Sequence, residues 1–226
     1  MPKCAYLPMQ EIRFRFVDVM ASQFPEIRDG GGWALDIGCG SGVTRELTEK
    51  EGYHWIGVDI APGGASVLAD GHVLPFPSET FDLIVSIAAL EHMRKPWRVA
   101  REIGRVARSG ALFCGTIAFL EPMHAGSHFH VTHLGVESLL EEGSFEVIQI
   151  WPSWHVFEAI AWFNLVENAG HRRILYEPAR RLGRWVAFVM HWLRAWRIGS
   201  MAWNETERVV DRLRFSGSIG FAARKC

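Results

Sequence analysis

Eight residues, LDIGCGSG at 35–42, constrain this chain more than any other stretch. An apolar run leads into them, and glycine then takes every second position, at Gly38, Gly40 and Gly42. Glycine reaches positive φ without a steric penalty and lets a ligand pack directly against backbone. A turn of this kind joins a buried strand to a helix. In doubly wound α/β sheets, ligands bind at that end of the strands.

The surrounding pattern fits such a sheet. Apolar runs at 33–39, 54–60, 81–90, 111–120 and 145–151 read as buried strands, with VLAD (67–70) and SGSIGFAARK (216–225) completing the set. Helical spacing appears over 10–24 (Ile12, Phe16, Val19, Met20, Phe24), over about 43–51, and over about 133–142 behind Thr132 as its cap. KPWRVAREIGRVARSG reads as a helix, with Pro96 in its first turn and Gly110 as its C′ residue. Alternating strands and helices predict a doubly wound, Rossmann-like α/β fold with seven strands. One irregularity stands out. About six residues separate GVDI (57–60) from VLAD, too few for a full crossover helix.

Residues 1–226 are therefore expected to form one domain: the helix over 10–24, a core over 33–151, a helical cap inserted at 152–215, and a final strand over 216–225. The net charge is −1, yet residues 151–226 hold 12 Lys/Arg against 6 Asp/Glu, and seven of the ten tryptophans. The acidic body and the Trp-heavy insertion offer no continuous basic groove, so nucleic acid is not the expected partner. Cys4, Cys39, Cys114 and Cys226 stand alone, without metal or disulfide spacing. No apolar run approaches the roughly 20 residues of a transmembrane segment, and no secretory leader is visible. A reducing cytoplasm is the expected compartment.

Acids sharpen the reading of the glycines. A dinucleotide fingerprint would read GxGxxG and place pyrophosphate on the helix N-terminus. Here position 43 is Val43, and Asp36 stands just before the turn, where a carboxylate repels pyrophosphate and suits a cationic ligand. Asp59 ends the second strand, where an acid can accept both ribose hydroxyls. In order, LDIGCGSG, GVDI, ADGHVLPFPSETFDLIVSIAALEH and EIGRVARSGALFCGTI resemble the motifs of class I S-adenosylmethionine-dependent methyltransferases, nearest the ubiquinone/menaquinone-biosynthesis-like branch. The resemblance covers roughly residues 33–150. It implies a mostly parallel sheet with an antiparallel last strand, and S-adenosyl-L-methionine as cofactor with S-adenosyl-L-homocysteine as product. It also implies roles for individual residues. Asp36 and the Gly38–Cys39–Gly40 backbone would hold the amino-acid end, Asp59 the ribose, and Ile60 the adenine flank. Asp70, with Gly71 and His72, would meet the adenine amino group, and Ala88 and Ala89 would line the methyl end.

Methyl transfer from a sulfonium needs proximity, in-line geometry and, for a hydroxyl acceptor, a base. His92 in LEHM is one candidate. The loop EPMHAGSHFHVTH supplies His124, His128, His130 and His133, of which His128 and His130 are the favoured candidates. Their linear spacing differs from zinc motifs, so no metal is expected. In the insertion, Trp185, Phe188, Val189, Trp192 and Trp196 share one helical stripe among arginines. The stripe reads as core, homodimer interface, lid or membrane-surface contact, and it is expected to pack over the carboxyl end of the sheet and wall the acceptor pocket. The expected acceptor is small or lipid-like and is methylated on oxygen. The rival readings are a catalytically silent scaffold on the same fold and a nicotinamide-dependent oxidoreductase.

Overall fold

The computed structural model describes residues 5–6, 24, 31–167, 173–198 and 210–226. Apart from Phe24, the helix expected over 10–24 lies outside the described residues. The strands are β1 (Ala5–Tyr6), β2 (Gly32–Ile37), β3 (Tyr53–Asp59), β4 (Val67–Leu68), β5 (Phe81–Ile87), β6 (Ala107–Ala118), β7 (Phe145–His155) and β8 (Ser216–Lys225). They form one sheet in the order β1-β7-β8-β6-β5-β2-β3-β4. The seven expected strands are present, joined at one edge by the two-residue β1. All pairings are parallel except those of β8, which runs antiparallel to both β6 and β7. From β2 the chain winds outward to β3 and β4 on one side and to β5 and β6 on the other. The carboxyl ends of β2 and β5 thus flank the switch point, where such sheets open a crevice.

Helices α1 (Arg45–Lys50), α2 (Pro96–Val106) and α3 (His133–Glu142) lie between the strands. Pro96 begins α2, and Val99, Ile103 and Val106 bury completely on its inner face. Thr132 caps α3, its hydroxyl accepting from the Gly135 N–H at 3.2 Å. Between β3 and β4 the chain makes only bends, as the short spacing requires. The expected end of α2 at Gly110 is corrected: the helix stops at Val106 and β6 begins at Ala107. Ala107 pairs with Phe81, and both are buried, so tertiary pairing takes residues that local helical spacing would have kept.

The insertion between β7 and β8 carries α4 (Val156–Trp162), a π-helical turn (Phe163–Glu167) and the long α5 (Arg173–Ile198). Gly183 lets α5 settle on Phe157, and Arg180 and Arg184 approach Glu158 at 3.6 and 3.8 Å. Trp162 meets the Tyr176 ring edge-on at 5.5 Å. These contacts turn the aromatic stripe outward. Trp185, Phe188, Trp192 and Trp196 are 63, 67, 56 and 77% exposed, contrary to the expectation that they cover the sheet. No helix among the described residues is long and apolar enough to cross a membrane.

Candidate active site

The glycine turn leaves β2 and folds back over the end of β3. The N–H groups of Gly38 and Cys39 donate to the Val58 carbonyl at 2.8 and 3.2 Å. Gly38 and Gly40 both hold positive φ, +69° and +53°. A Cβ on Gly38 would lie 2.4 Å from that of Ala89, whereas a Cβ on Gly40 would meet nothing within 4 Å. One glycine permits close packing of the turn against the end of β5. The other opens onto free space, as a backbone cradle for a ligand must.

Beside the turn lies a cavity of about 470 Å³. Gly38, Asp59, Ile60, Asp70, Gly71, His72, Ala88, Ala89, His92 and His128 line it, all of them singled out by sequence. Ile37, Val58, Ala69, Met93 and Arg94 also line it and were missed. The first three are ordinary apolar strand-end residues without a distinguishing signal, while Met93 and Arg94 directly follow LEH. No described residue of the 152–215 insertion is on this wall, so among the described residues the expected capping role finds no support in the lining.

Asp59 is braced by two amide donors, Gly40 N–H to Oδ2 at 2.9 Å and Ala61 N–H to Oδ1 at 3.0 Å. Each carboxylate oxygen still has a lone pair to offer a ligand hydroxyl. Asp70 accepts from the His72 N–H at 2.9 Å and contacts His72 Nδ1 at 2.5 Å; these bonds hold its carboxyl below the usual range. His72 Nε2 accepts from the Lys95 N–H at 3.2 Å, which leaves the ring proton on Nδ1, facing Asp70.

Asp36 and Cys39 stand beneath the turn rather than on the cavity wall. The Asp36 side chain is buried and accepts from the Thr44 hydroxyl, which in turn accepts from the Trp55 indole at 3.2 Å. Burial pushes the Asp36 carboxyl up to about 6, against the opposing effect of these donors. Gly40 is not on the wall either, but its N–H donates to Asp59, which is.

A 3₁₀ turn (Leu90–His92) follows β5, and the Glu91 carbonyl accepts from the N–H groups of His128 and Phe129 at 2.7 and 3.2 Å. That link ties the histidine loop to the cavity. His128 reaches the wall. His130 does not, and its Nε2 is 3.1 Å from the Ser127 hydroxyl. His124 stacks on Phe163 of the insertion at 4.5 Å and stands 5.3 Å from His92 and 5.9 Å from His130, ring to ring. His133 instead begins α3. Burial, then the neighbouring His124, His130 and His128, lowers the His92 imidazole. Burial pushes the Glu91 carboxyl up to about 7, and nearby Glu121 adds to the shift.

Comparison with known proteins shows what this core is similar to. Residues 35–115 match the family described as a methyltransferase domain. That match takes in little more than a third of the chain and supports a methyltransferase. An uncharacterized methyltransferase of Mycolicibacterium gilvum is 34% identical over 91 residues, which cover 34% of this chain and 36% of that protein. The bovine 18S rRNA (guanine-N(7))-methyltransferase is 37% identical over 71 residues, 26% of this chain and 25% of its own. The chain thus spans well under half the length of the curated relatives it matches. Among solved structures, a putative sarcosine dimethylglycine methyltransferase from Galdieria sulphuraria superposes with a TM-score of 0.59 at 17% identity, covering 96% of this chain and 88% of its own. Geranyl diphosphate C-methyltransferase from Streptomyces coelicolor A3(2), solved with S-adenosyl-L-homocysteine, gives 0.61 at 10% identity, covering 93 and 76%. S-adenosyl-L-methionine is the cofactor of this methyltransferase family. The open cradle at Gly40 and the acids of the domain suit it, and they disfavour a pyrophosphate-bearing dinucleotide.

Proposed function

We propose that the protein transfers a methyl group from S-adenosyl-L-methionine to an oxygen of a small or lipid-like acceptor. The observation that carries this reading is a single cavity that Asp59, Asp70, His92 and His128 line together. The cofactor supplies a methyl already activated on a sulfonium, so the protein's tasks are binding, orientation and removal of a proton. Asp59 binds the ribose hydroxyls, and Asp70 with the Gly71–His72 backbone recognises adenine. The Gly38–Gly40 turn accommodates the amino-acid end, with Asp36 beneath it supporting the turn through Thr44. Ala88 and Ala89 are small enough to leave room for the methyl. His128, free of the Ser127 contact that engages His130, is the better placed base, and His92 neighbours it.

The exposed aromatic face of α5, set among arginines, supports a lipid-like acceptor or its surface, and it leaves a homodimer open through the same stripe. The buried free thiols of Cys39 and Cys114 suit a reducing cytoplasm. Incubation with labelled S-adenosyl-L-methionine and fractionated cell extract tests the acceptor. Label should enter the organic phase as a base-stable ether or an ester. Label recovered in RNA, the substrate type of the bovine relative, would replace this acceptor with a nucleic acid. Absence of transfer to every fraction, with the cofactor bound, would favour the silent scaffold.

A further inference from the structure

Behind the cavity wall, Glu91 poses a chemical problem that methyl transfer does not explain. Its side chain is fully buried, and neither carboxyl oxygen meets a partner at full hydrogen-bond geometry, although the backbone of Glu91 itself and of Ala118 lies near enough to favour the anion. Buried acids are normally paired, hydrogen-bonded or bound to metal. His92 next to it also buries an unpartnered nitrogen, Nδ1. His124 is held with its Nδ1 2.9 Å from the Pro122 carbonyl. A carbonyl only accepts, so Nδ1 carries a proton, and in the neutral ring Nε2 keeps its lone pair. Metal-binding imidazoles are commonly oriented in this way by a hydrogen bond from the far nitrogen.

These three side chains converge. One donor atom from each of Glu91, His92 and His124 lies within 4.8 Å of the others. We infer that Glu91, His92 and His124 form a site for a divalent transition-metal ion of the zinc type. Two imidazoles and one carboxylate are a donor set that zinc accepts, leaving a coordination position open. Donors about a tetrahedral zinc stand about 3.3 Å apart for bonds of about 2.0 Å, a contraction within reach of side-chain torsions. Outside the triad, Glu121 Oε2 lies 3.8 Å from His124 Nε2, and the Trp154 indole N–H fixes Glu121 Oε1 at 2.6 Å. The expectation of no metal rested on the linear spacing of the loop histidines. The fold instead pairs one of them with Glu91 and His92, 33 and 32 residues away. Because His92 also lines the cavity, the ion borders the space of the acceptor. Its existence is independent of the methyl-transfer reading; its use, holding an acceptor oxygen, rests on that reading.

Chelator-stripped protein titrated with zinc chloride in a calorimeter tests the site. Wild type should take up one ion, Glu91→Gln should bind at least tenfold more weakly, and His124→Ala should lose the site. Zinc should raise the melting temperature of wild type and leave that of His124→Ala unchanged. Should either variant not fold, cobalt(II) loading of wild type alone remains decisive, since visible d–d bands report a low-coordinate nitrogen–oxygen site. No uptake of zinc or cobalt by wild type, or equal uptake by the folded variants, overturns the inference. S-adenosyl-L-homocysteine affinity, measured on the same samples, separates the two readings. Cofactor binding without metal removes only the metal site, and metal uptake without cofactor binding removes only the methyltransferase reading.

Discussion

The Gly40 N–H donates to Asp59 Oδ2 at 2.9 Å, joining the turn after β2 to the acid that ends β3. The two motifs on which the sequence reading rests are therefore one mechanical unit. Replacing Asp59 with Ala removes both a brace of the turn and the proposed ribose acceptor. Loss of charged hydrogen bonds of this kind costs roughly 1.5–3 kcal/mol, so S-adenosyl-L-homocysteine affinity should fall tenfold or more by calorimetry. Unchanged affinity would remove the ribose assignment.

Gly104 on α2 faces the chain that ends α3. A Cβ there would lie 2.2 Å from the Gly143 carbonyl oxygen, a backbone atom that cannot swing aside. Gly104→Ala should destabilise the fold by about 1–3 kcal/mol, the usual cost of overpacking, with cofactor affinity intact in the folded fraction. A denaturation midpoint equal to that of wild type would show that the helices part easily.

Asp36 predicts a pH dependence with a definite sign. Its carboxyl is raised from 3.8 to about 6 in the fold, so the folded state holds the proton more tightly than the unfolded chain. The stability this contributes is complete below about pH 4 and is lost as pH rises through 6, on the order of 3 kcal/mol at 1.36 kcal/mol per unit. Asp36→Asn should therefore gain on wild type between pH 4 and 7. Parallel stability curves for the two proteins would show that Asp36 titrates normally.

The two favoured loop histidines should behave differently. His128 lines the cavity, whereas His130 contacts Ser127. His128→Gln should lower turnover by about 10²–10⁴, the range for a general base, with cofactor affinity near that of wild type. His130→Gln should affect melting temperature more than rate. The reverse ranking would reassign the base.

The α5 stripe yields a prediction opposite to its sequence reading. Trp192 is 56% exposed, so Trp192→Ser removes little buried area. Melting temperature should change by no more than about 2 °C, because exposed substitutions are usually worth within about 0.5 kcal/mol. A large drop would mean that the stripe is covered in solution, and sedimentation would then reveal whether by a second copy.

Local chemistry made much of the core legible. Glycine alternation after an apolar run, acids at strand ends, Pro96 at a helix start and Thr132 at a cap each act within a few residues, so sequence exposes them directly. The short link between β3 and β4 likewise excludes a helix by length alone. Where local rules compete with pairing, sequence misleads: residues after Val106 keep helical spacing, yet Ala107 joins the sheet beside Phe81.

By itself, the sequence determined the alternating strands and helices, the turn at 38–42 and the acids Asp59 and Asp70 that face the cavity. Only tertiary structure decided what depends on distant segments meeting. It set Asp36 under the turn against Thr44, sent the tryptophans of α5 outward, and gathered Glu91 and His92 of a 3₁₀ turn with His124 of a loop. Periodicity tells which residues share a face, but which face is covered depends on a partner surface that the periodic segment does not encode.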